Sequence, residues 1–384
     1  MIYLDNNAST SLDPEVWSAM VEAAAVHGNP SSVHAEGQKA RRAVEEARDE
    51  VARLVGGGPE EILLTSGGTE SNALALFGAT SGRRGRIVLS GAEHPSVREA
   101  ATRLSDAGFE VVTVDPDPSG ALDPERVLAA VTPGTVLTSV MAANNEYGGV
   151  YPVAALARPV RLRGSLFHTD AVQAAGRMRV DATAWGVDLL SVSAHKMHGP
   201  KGAGALFVRR GVALSPHTPG GGQEKRLRAG TENTLAIAGF GAASHLARRR
   251  VAEEAPAIGG RRDRLERGIL ERIPGARVVG EGAPRLPNTS AILFEDTSGE
   301  ALLIRLDLEG IAVSVGSACS SGTLAPSPAL LALGLSREDA RRVVRFSLSR
   351  QTTDAEITRV LEVLPGLVGE VRDAALTAGA GRPS

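Results

Sequence analysis

The chain is short of cysteine, of aromatic rings and of net charge. One cysteine in 384 residues excludes an internal disulfide and any cysteine-cluster zinc site, and it predicts a reducing compartment. Two Trp, three Tyr and seven Phe are too few to build a stacking platform for single-stranded nucleic acid. With 42 Lys and Arg against 44 Asp and Glu, the formal charge is −2, so no polyanion-binding surface is expected. No run approaches the ~18 apolar residues of a membrane span. The opening MIYLDNNAST carries neither the basic nor the apolar region of a secretory signal. The expectation is a cytoplasmic protein without membrane or direct nucleic-acid partners.

What is present is ample material for a packed core. The hydrophobic fraction is 42%, and the length predicts two or three domains. The 44 glycines point to many tight turns and close backbone approaches. From residue 60 onward, β-rich runs alternate with helical patterns: EILLTS before TESNALALFGA, RIVLS before PSVREAATRLSDAG, FEVVTV before PERVLAAVT, and TVLTSVMAA before PVAALARPVRLRG. That rhythm predicts an α/β fold whose mostly parallel sheet is covered on both faces. SLFHTD opens a further unit, and VDLLSVSAHK and AGALFVRR read as two strands joined by the turn HGPKG. Near residues 247–267 the pattern changes to charged helix, where Pro256 and Gly259-Gly260 mark a domain boundary. RVVG, SAILF, IAVSV and the helical tail then form a smaller α+β unit.

In open parallel sheets the ligand crevice lies beyond the carboxyl ends of the strands. His94, Asn145, Asp170 and Lys196 all fall at such ends. An amine at the end of an apolar strand is partly desolvated, which favours the neutral form that condenses with an aldehyde. Asp170 lies one strand-helix-strand step upstream, where a carboxylate can keep a pyridine nitrogen protonated. Alone, it reads more often as a helix cap. TSGGTES, Thr65 to Ser71, is a Gly-rich turn before a helix. Its amides and the Thr69 hydroxyl suit a phosphate, or make a simple turn. Ser193 and His195 flank the lysine as further donors, and His94 is the imidazole available to stack on a cofactor ring. No metal is expected. His195 and His198 are spaced i, i+3, but the GPKG turn breaks any helix there. The remaining histidines read as structural. Cys319 sits among Gly, Ser, Thr and Pro in VGSACSSGTLAPSP, which places the thiol on an exposed loop rather than in a core.

The ordered set YLDNNAST, AEH, NNE, HTDAVQ, SAHKMHGPKG, RAGTEN, GSACSSG and RFSL resembles the cysteine desulfurases of NifS/IscS type, which are class V aminotransferases of the fold-type I pyridoxal phosphate superfamily. The resemblance spans nearly the whole chain. It implies a large domain over residues 13–250, binding pyridoxal 5′-phosphate, and a small domain of residues 1–12 plus 251–384. The small domain carries the cysteine loop at about 316–328.

The resemblance also implies roles. Lys196 is then the lysine that binds the cofactor aldehyde and moves protons, Asp170 the partner of the pyridine nitrogen, Gln173 the donor to the ring oxygen, and His94 the stacking imidazole with an acid-base role. Gly68 (through its amide), Thr69, Ser193 and His195 correspond to the phosphate cup. Thr231 corresponds to a phosphate ligand reaching in from the other subunit of a homodimer. Asn145 and Arg345 correspond to the residues that hold the substrate carboxylate, and Cys319 to the thiol that takes up sulfur from L-cysteine before an acceptor protein such as an iron-sulfur scaffold. Ser9, Gly68 and Val315 depart from the family's commoner Thr, Ala and Ser without removing a reacting group. A selenocysteine lyase, a class V aminotransferase and a non-catalytic sulfur-acceptor scaffold are the alternatives.

Overall fold

The computed structural model describes residues 1–316 and 325–380. A short strand β1 (Ile2–Tyr3) precedes helices α1 (Pro14–Ala24) and α2 (Ala35–Val55). Asp13 caps α1 by accepting from the Glu15 amide, and Pro14 fills the first helical position, where no N–H is needed. In α2, buried Ala40, Val44, Ala47 and Val51 recur every three or four residues, giving one apolar stripe.

The large sheet holds β2 (Ile62–Thr65), β3 (Arg86–Ser90), β4 (Glu110–Val114), β5 (Thr135–Ser139), β6 (Leu166–Asp170), β7 (Leu189–Ser193) and β8 (Gly204–Val208). Their order is β2-β8-β7-β6-β5-β3-β4. The β3-β4, β3-β5, β5-β6 and β6-β7 pairs are parallel, and β8 runs antiparallel to both neighbours. Side chains along a strand alternate between faces, so Ile62 and Leu64 enter one core cluster while Leu63 enters another. The second cluster is closed by α3 (Gly68–Thr80) and α4 (Pro95–Asp106), through Leu74, Leu76, Val97 and Leu104.

A smaller antiparallel sheet, ordered β12-β13-β10-β9, contains β9 (Ala276–Val278), β10 (Thr289–Phe294), β12 (Ser314–Val315) and β13 (Val343–Ser347). The strand β11 (Ile311–Ala312) pairs in parallel with β1. This unit has its own cluster, including Leu4, Ile292, Phe294, Leu302, Phe346 and Leu364.

No break occurs at Pro256 or Gly259-Gly260. One helix, Thr234–Arg272, runs through all three. Leu246 and Ala247 pack in the core beneath the large sheet, whereas Ile258, Leu265 and Ile269 pack in the smaller unit. Packing at both ends holds the helix continuous across a proline that costs ~3 kcal/mol in a helix interior.

Candidate active site

The parallel strands deliver His94, Asn145, Asp170 and Lys196 to one edge of the sheet. Strand β5 stops at Ser139, short of the run TVLTSVMAA, because polar contacts take over the chain. The Met141 amide donates to Glu93 Oε1 (2.7 Å), and Asn144 Oδ1 accepts from the Glu146 and Tyr147 amides (2.7 and 3.0 Å). His94 caps α4, its Nδ1 accepting from the Ser96 amide at 3.1 Å. Asp170 is buried at the end of β6. Its Oδ1 accepts from the Val172 amide (2.9 Å) and its Oδ2 from Asn72 Nδ2 (2.7 Å).

Lys196 ends a single helical turn after β7. Its Nζ donates to the carbonyls of Asn7 (2.5 Å) and Ala8 (2.8 Å). Burial, followed by the positive charges of Arg177 and Arg345, pushes the amine down to about 7. Such an amine is poised between base and ammonium at neutral pH. Burial likewise lowers His94, with Asp170 opposing and Lys196 reinforcing the shift. His195 meets the Ser9 hydroxyl at 3.3 Å and is lowered to about 4 by burial and the neighbouring Lys196.

Arg345 projects from β13 of the smaller unit. Its guanidinium donates to the Asn145 carbonyl (2.9 Å) and to Asp5 Oδ1 (2.7 Å). Its Nε is buried without a partner among the described residues. The Arg345 guanidinium is thus seated against the Asn145 backbone, a cation suited to a carboxylate. Gln173 is buried, donating to the Asn7 carbonyl (3.0 Å) and accepting from Arg177 (2.6 Å).

The β2-α3 turn has the features of an anion cradle. Gly67 adopts φ 153°, ψ −176°, a conformation essentially reserved for glycine. Gly204 leaves room for it, since a Cβ there would sit 2.6 Å from Gly67 Cα. The amides of Gly68 and Thr69 open a 13-residue helix and have no acceptor within it. The Ser193 hydroxyl is buried with no partner among the described residues, and a Cβ on Gly67 would lie 3.8 Å from it. Thr69 is exposed. A phosphate group would satisfy all of these donors, so the residues present fit one.

Thr231 is exposed and makes no hydrogen bond among the described residues. The segment leading to it is held by Glu224, which receives a forked bond from Arg48 (2.7 and 2.8 Å) and another from the Leu64 amide (2.8 Å). Glu224, Lys225 and Arg226 all have positive φ, at 41°, 58° and 65°. Three successive left-handed non-glycine residues cost ~1–2 kcal/mol each, which the buried ion pair offsets. Cys319 lies outside the described residues.

The class-V aminotransferase family model matches residues 2–360. A cysteine desulfurase of Gluconacetobacter diazotrophicus is 45% identical over 377 residues, covering 97% of this chain and 94% of that one. The chain belongs to this family, among its cysteine desulfurases. A solved structure titled NifS-like protein superposes with a TM-score of 0.89 at 34% identity, covering 96% of this chain and 99% of the other. SspA, solved in complex with cysteine, gives 0.81 at 33% identity, covering 92% and 100%.

Several residues of this desulfurase site escaped the sequence reading. Asn7 supplies carbonyl and amide contacts to Lys196, Gln173, Asn145 and Thr289. Arg177 is a buried cation that donates to the Gln173 and Asn6 carbonyls, and burial drops it to about 9. Glu93, beside His94, is buried and raised to about 8 by that burial. The Asn6-Asn7 pair within YLDNNAST was the available signal for Asn7. Nothing in the local pattern marked Arg177. Among the described residues no group of three or more His, Cys, Asp or Glu could hold a metal ion, and no helix is long and apolar enough to cross a membrane.

Proposed function

We propose that this cysteine desulfurase works with pyridoxal 5′-phosphate, held by Lys196 at the aldehyde and Asp170 at the ring nitrogen. Gln173 meets the ring oxygen and His94 covers the ring face. The phosphate goes to the Gly68 amide, Thr69, Ser193 and His195, with Thr231 of a second copy completing the site in a homodimer. The observation that carries this reading is the union of a depressed lysine, a buried carboxylate and an orphaned Ser193 hydroxyl at one sheet edge. When bound, the cofactor supplies an electron sink that makes the substrate Cα proton removable.

The chain's own groups do the rest. Asn145 and Arg345 fix the carboxylate of L-cysteine, and Lys196 takes the Cα proton and later returns one. The Cys319 thiolate attacks the substrate sulfur, so the Cβ–S bond breaks as an S–S bond forms. The Cβ–S electron pair stays on the carbon side and Cβ takes up a proton, so the carbon skeleton leaves as L-alanine while the enzyme thiol becomes a persulfide. The sulfur then passes to an acceptor such as an iron-sulfur scaffold in the cytoplasm. An exposed Thr231 supports the dimer, and a single cysteine supports both the assignment of the persulfide and the compartment. The division at residue 250 falls within the helix that joins the two cores, and we place the boundary of the two domains there.

The test is mass spectrometry after brief exposure to L-cysteine. One added sulfur is expected on the peptide containing Cys319. Cys319→Ser should retain the cofactor and lose sulfur transfer, and undiminished sulfide from that variant overturns the assignment.

A further inference from the structure

Two side chains outside every motif above connect the carboxylate to the imidazole. Asn72 Nδ2 lies 2.7 Å from Asp170 Oδ2 and 2.9 Å from Ser96 Oγ, and Ser96 Oγ lies 2.8 Å from His94 Nδ1. Chemistry fixes the direction of each bond. A flipped amide would set the Asn72 oxygen against the Asp170 carboxylate, two acceptors facing each other with no hydrogen between them. The two amide hydrogens are therefore divided, one to Asp170 and one to Ser96. The Ser96 backbone N–H donates to His94 Nδ1, and a ring nitrogen that accepts a backbone N–H carries no proton of its own. The Ser96 hydroxyl, which accepts from Asn72, therefore gives its own hydrogen to that same nitrogen.

We propose that Asn72 and Ser96 are positioning residues that lock His94 to Asp170 and hold it as the neutral, Nε2-protonated tautomer. The inference rests on the reading of Asp170 and His94 as the residues about the cofactor ring. It narrows the role of His94. The ring stacks and presents an Nε2–H donor, and proton acceptance from the substrate falls to Lys196, because protonating Nδ1 would force both Ser96 donors away. The charged neighbours bear on this in both directions. Asp170, from β6, favours the imidazolium, whereas Lys196, after β7, and burial oppose it. Glu93, on the same loop, turns its Oε1 to Ser90 (2.5 Å) and the Met141 amide.

The experiment is long-range ¹H–¹⁵N correlation of the histidine rings in the reconstituted, ¹⁵N-histidine-labelled protein. His94 is assigned by its loss in His94→Gln. The wild type should show the Nε2–H tautomer across about pH 6–8. Ser96→Ala and Asn72→Ala should raise the His94 midpoint by on the order of one pH unit and mix the tautomers, while Ser96→Thr keeps the wild-type pattern. A resting Nδ1–H tautomer or imidazolium in the wild type, or a midpoint unmoved in both alanine variants, overturns the proposal. Failure of the cofactor reading shows itself separately, as a preparation that never acquires the absorbance of bound pyridoxal phosphate. The ring spectra of that preparation still report the tautomer.

Discussion

Cofactor-free protein should capture pyridoxal phosphate faster as pH rises through about 7, because only an unprotonated Lys196 can bond to an aldehyde. The amine is lowered from 10.5 to about 7 by burial and by the charges of Arg177 and Arg345. At pH 7 about half of it is neutral, against about 1 in 3,000 for an ordinary lysine, so the site gains roughly three orders of magnitude in reactive amine. Arg177→Gln removes one of the two opposing charges while keeping an amide donor for the Gln173 and Asn6 carbonyls. The midpoint should then climb by roughly half a unit to one unit. The assay is stopped-flow absorbance of lysine-bound cofactor across pH, with borohydride trapping to locate the adduct on Lys196. A wild-type half-rise near that of a free lysine, or an unmoved midpoint in Arg177→Gln, would refute the argument. The sign for stability follows from the same shift. Between about 7 and 10.5 the unfolded chain binds more protons at this lysine than the fold does, so this group makes the cofactor-free protein more stable as pH rises across that window.

Ser193→Ala should leave the cofactor-free protein as stable or up to ~1–3 kcal/mol more stable, since an unpaired buried hydroxyl is removed. The same variant should weaken pyridoxal phosphate binding, so urea unfolding and a cofactor titration must move in opposite senses. Gly204→Ala should destabilise by ~1–3 kcal/mol and loosen the cofactor, because the new methyl collides with Gly67; wild-type affinity in that variant would show that the turn does not set the phosphate site. Glu224→Gln should cost about 3–5 kcal/mol in urea unfolding. It strips the fork from Arg48, whose other carboxylate partner, Glu45, is half exposed. A loss below ~1 kcal/mol would mean the left-handed turn does not depend on that pair.

Residues that occupy strand ends were legible because the strands themselves were. LLSVS and LFHTD are β-prone runs of strand length, so Lys196 and Asp170 could be placed by counting. Asn7 was not legible in that way, because part of its contribution is a backbone carbonyl and its partners lie 138 to 340 positions away. Arg177 was hidden for another reason. It sits four residues after Gln173 in a turn, and only tertiary packing reveals that its guanidinium is buried against carbonyls rather than solvated. The charged helix near Pro256 was legible, but its unbroken run from Thr234 to Arg272 was not, since a proline and two glycines break an isolated helix but not one anchored in two cores. Asn72 and Ser96 belong to helices whose local sequence explains them as an amide just past the first turn and a serine beside a cap. Their joint action exists only where α3 and α4 meet.

The threading of residues 5–9 sets an order of events during synthesis. Asp5 bridges to Ser347 and bonds Arg345, and Asn7 reaches Asn145, Thr289 and Lys196. Residues 5–9 leave the ribosome long before their partners, and they must wait for their seats until translation has passed Ser347. A nascent chain arrested earlier has its large sheet encoded but no strand to receive that ribbon. Assembly of the site is therefore tied to synthesis through the strand that ends at Ser347.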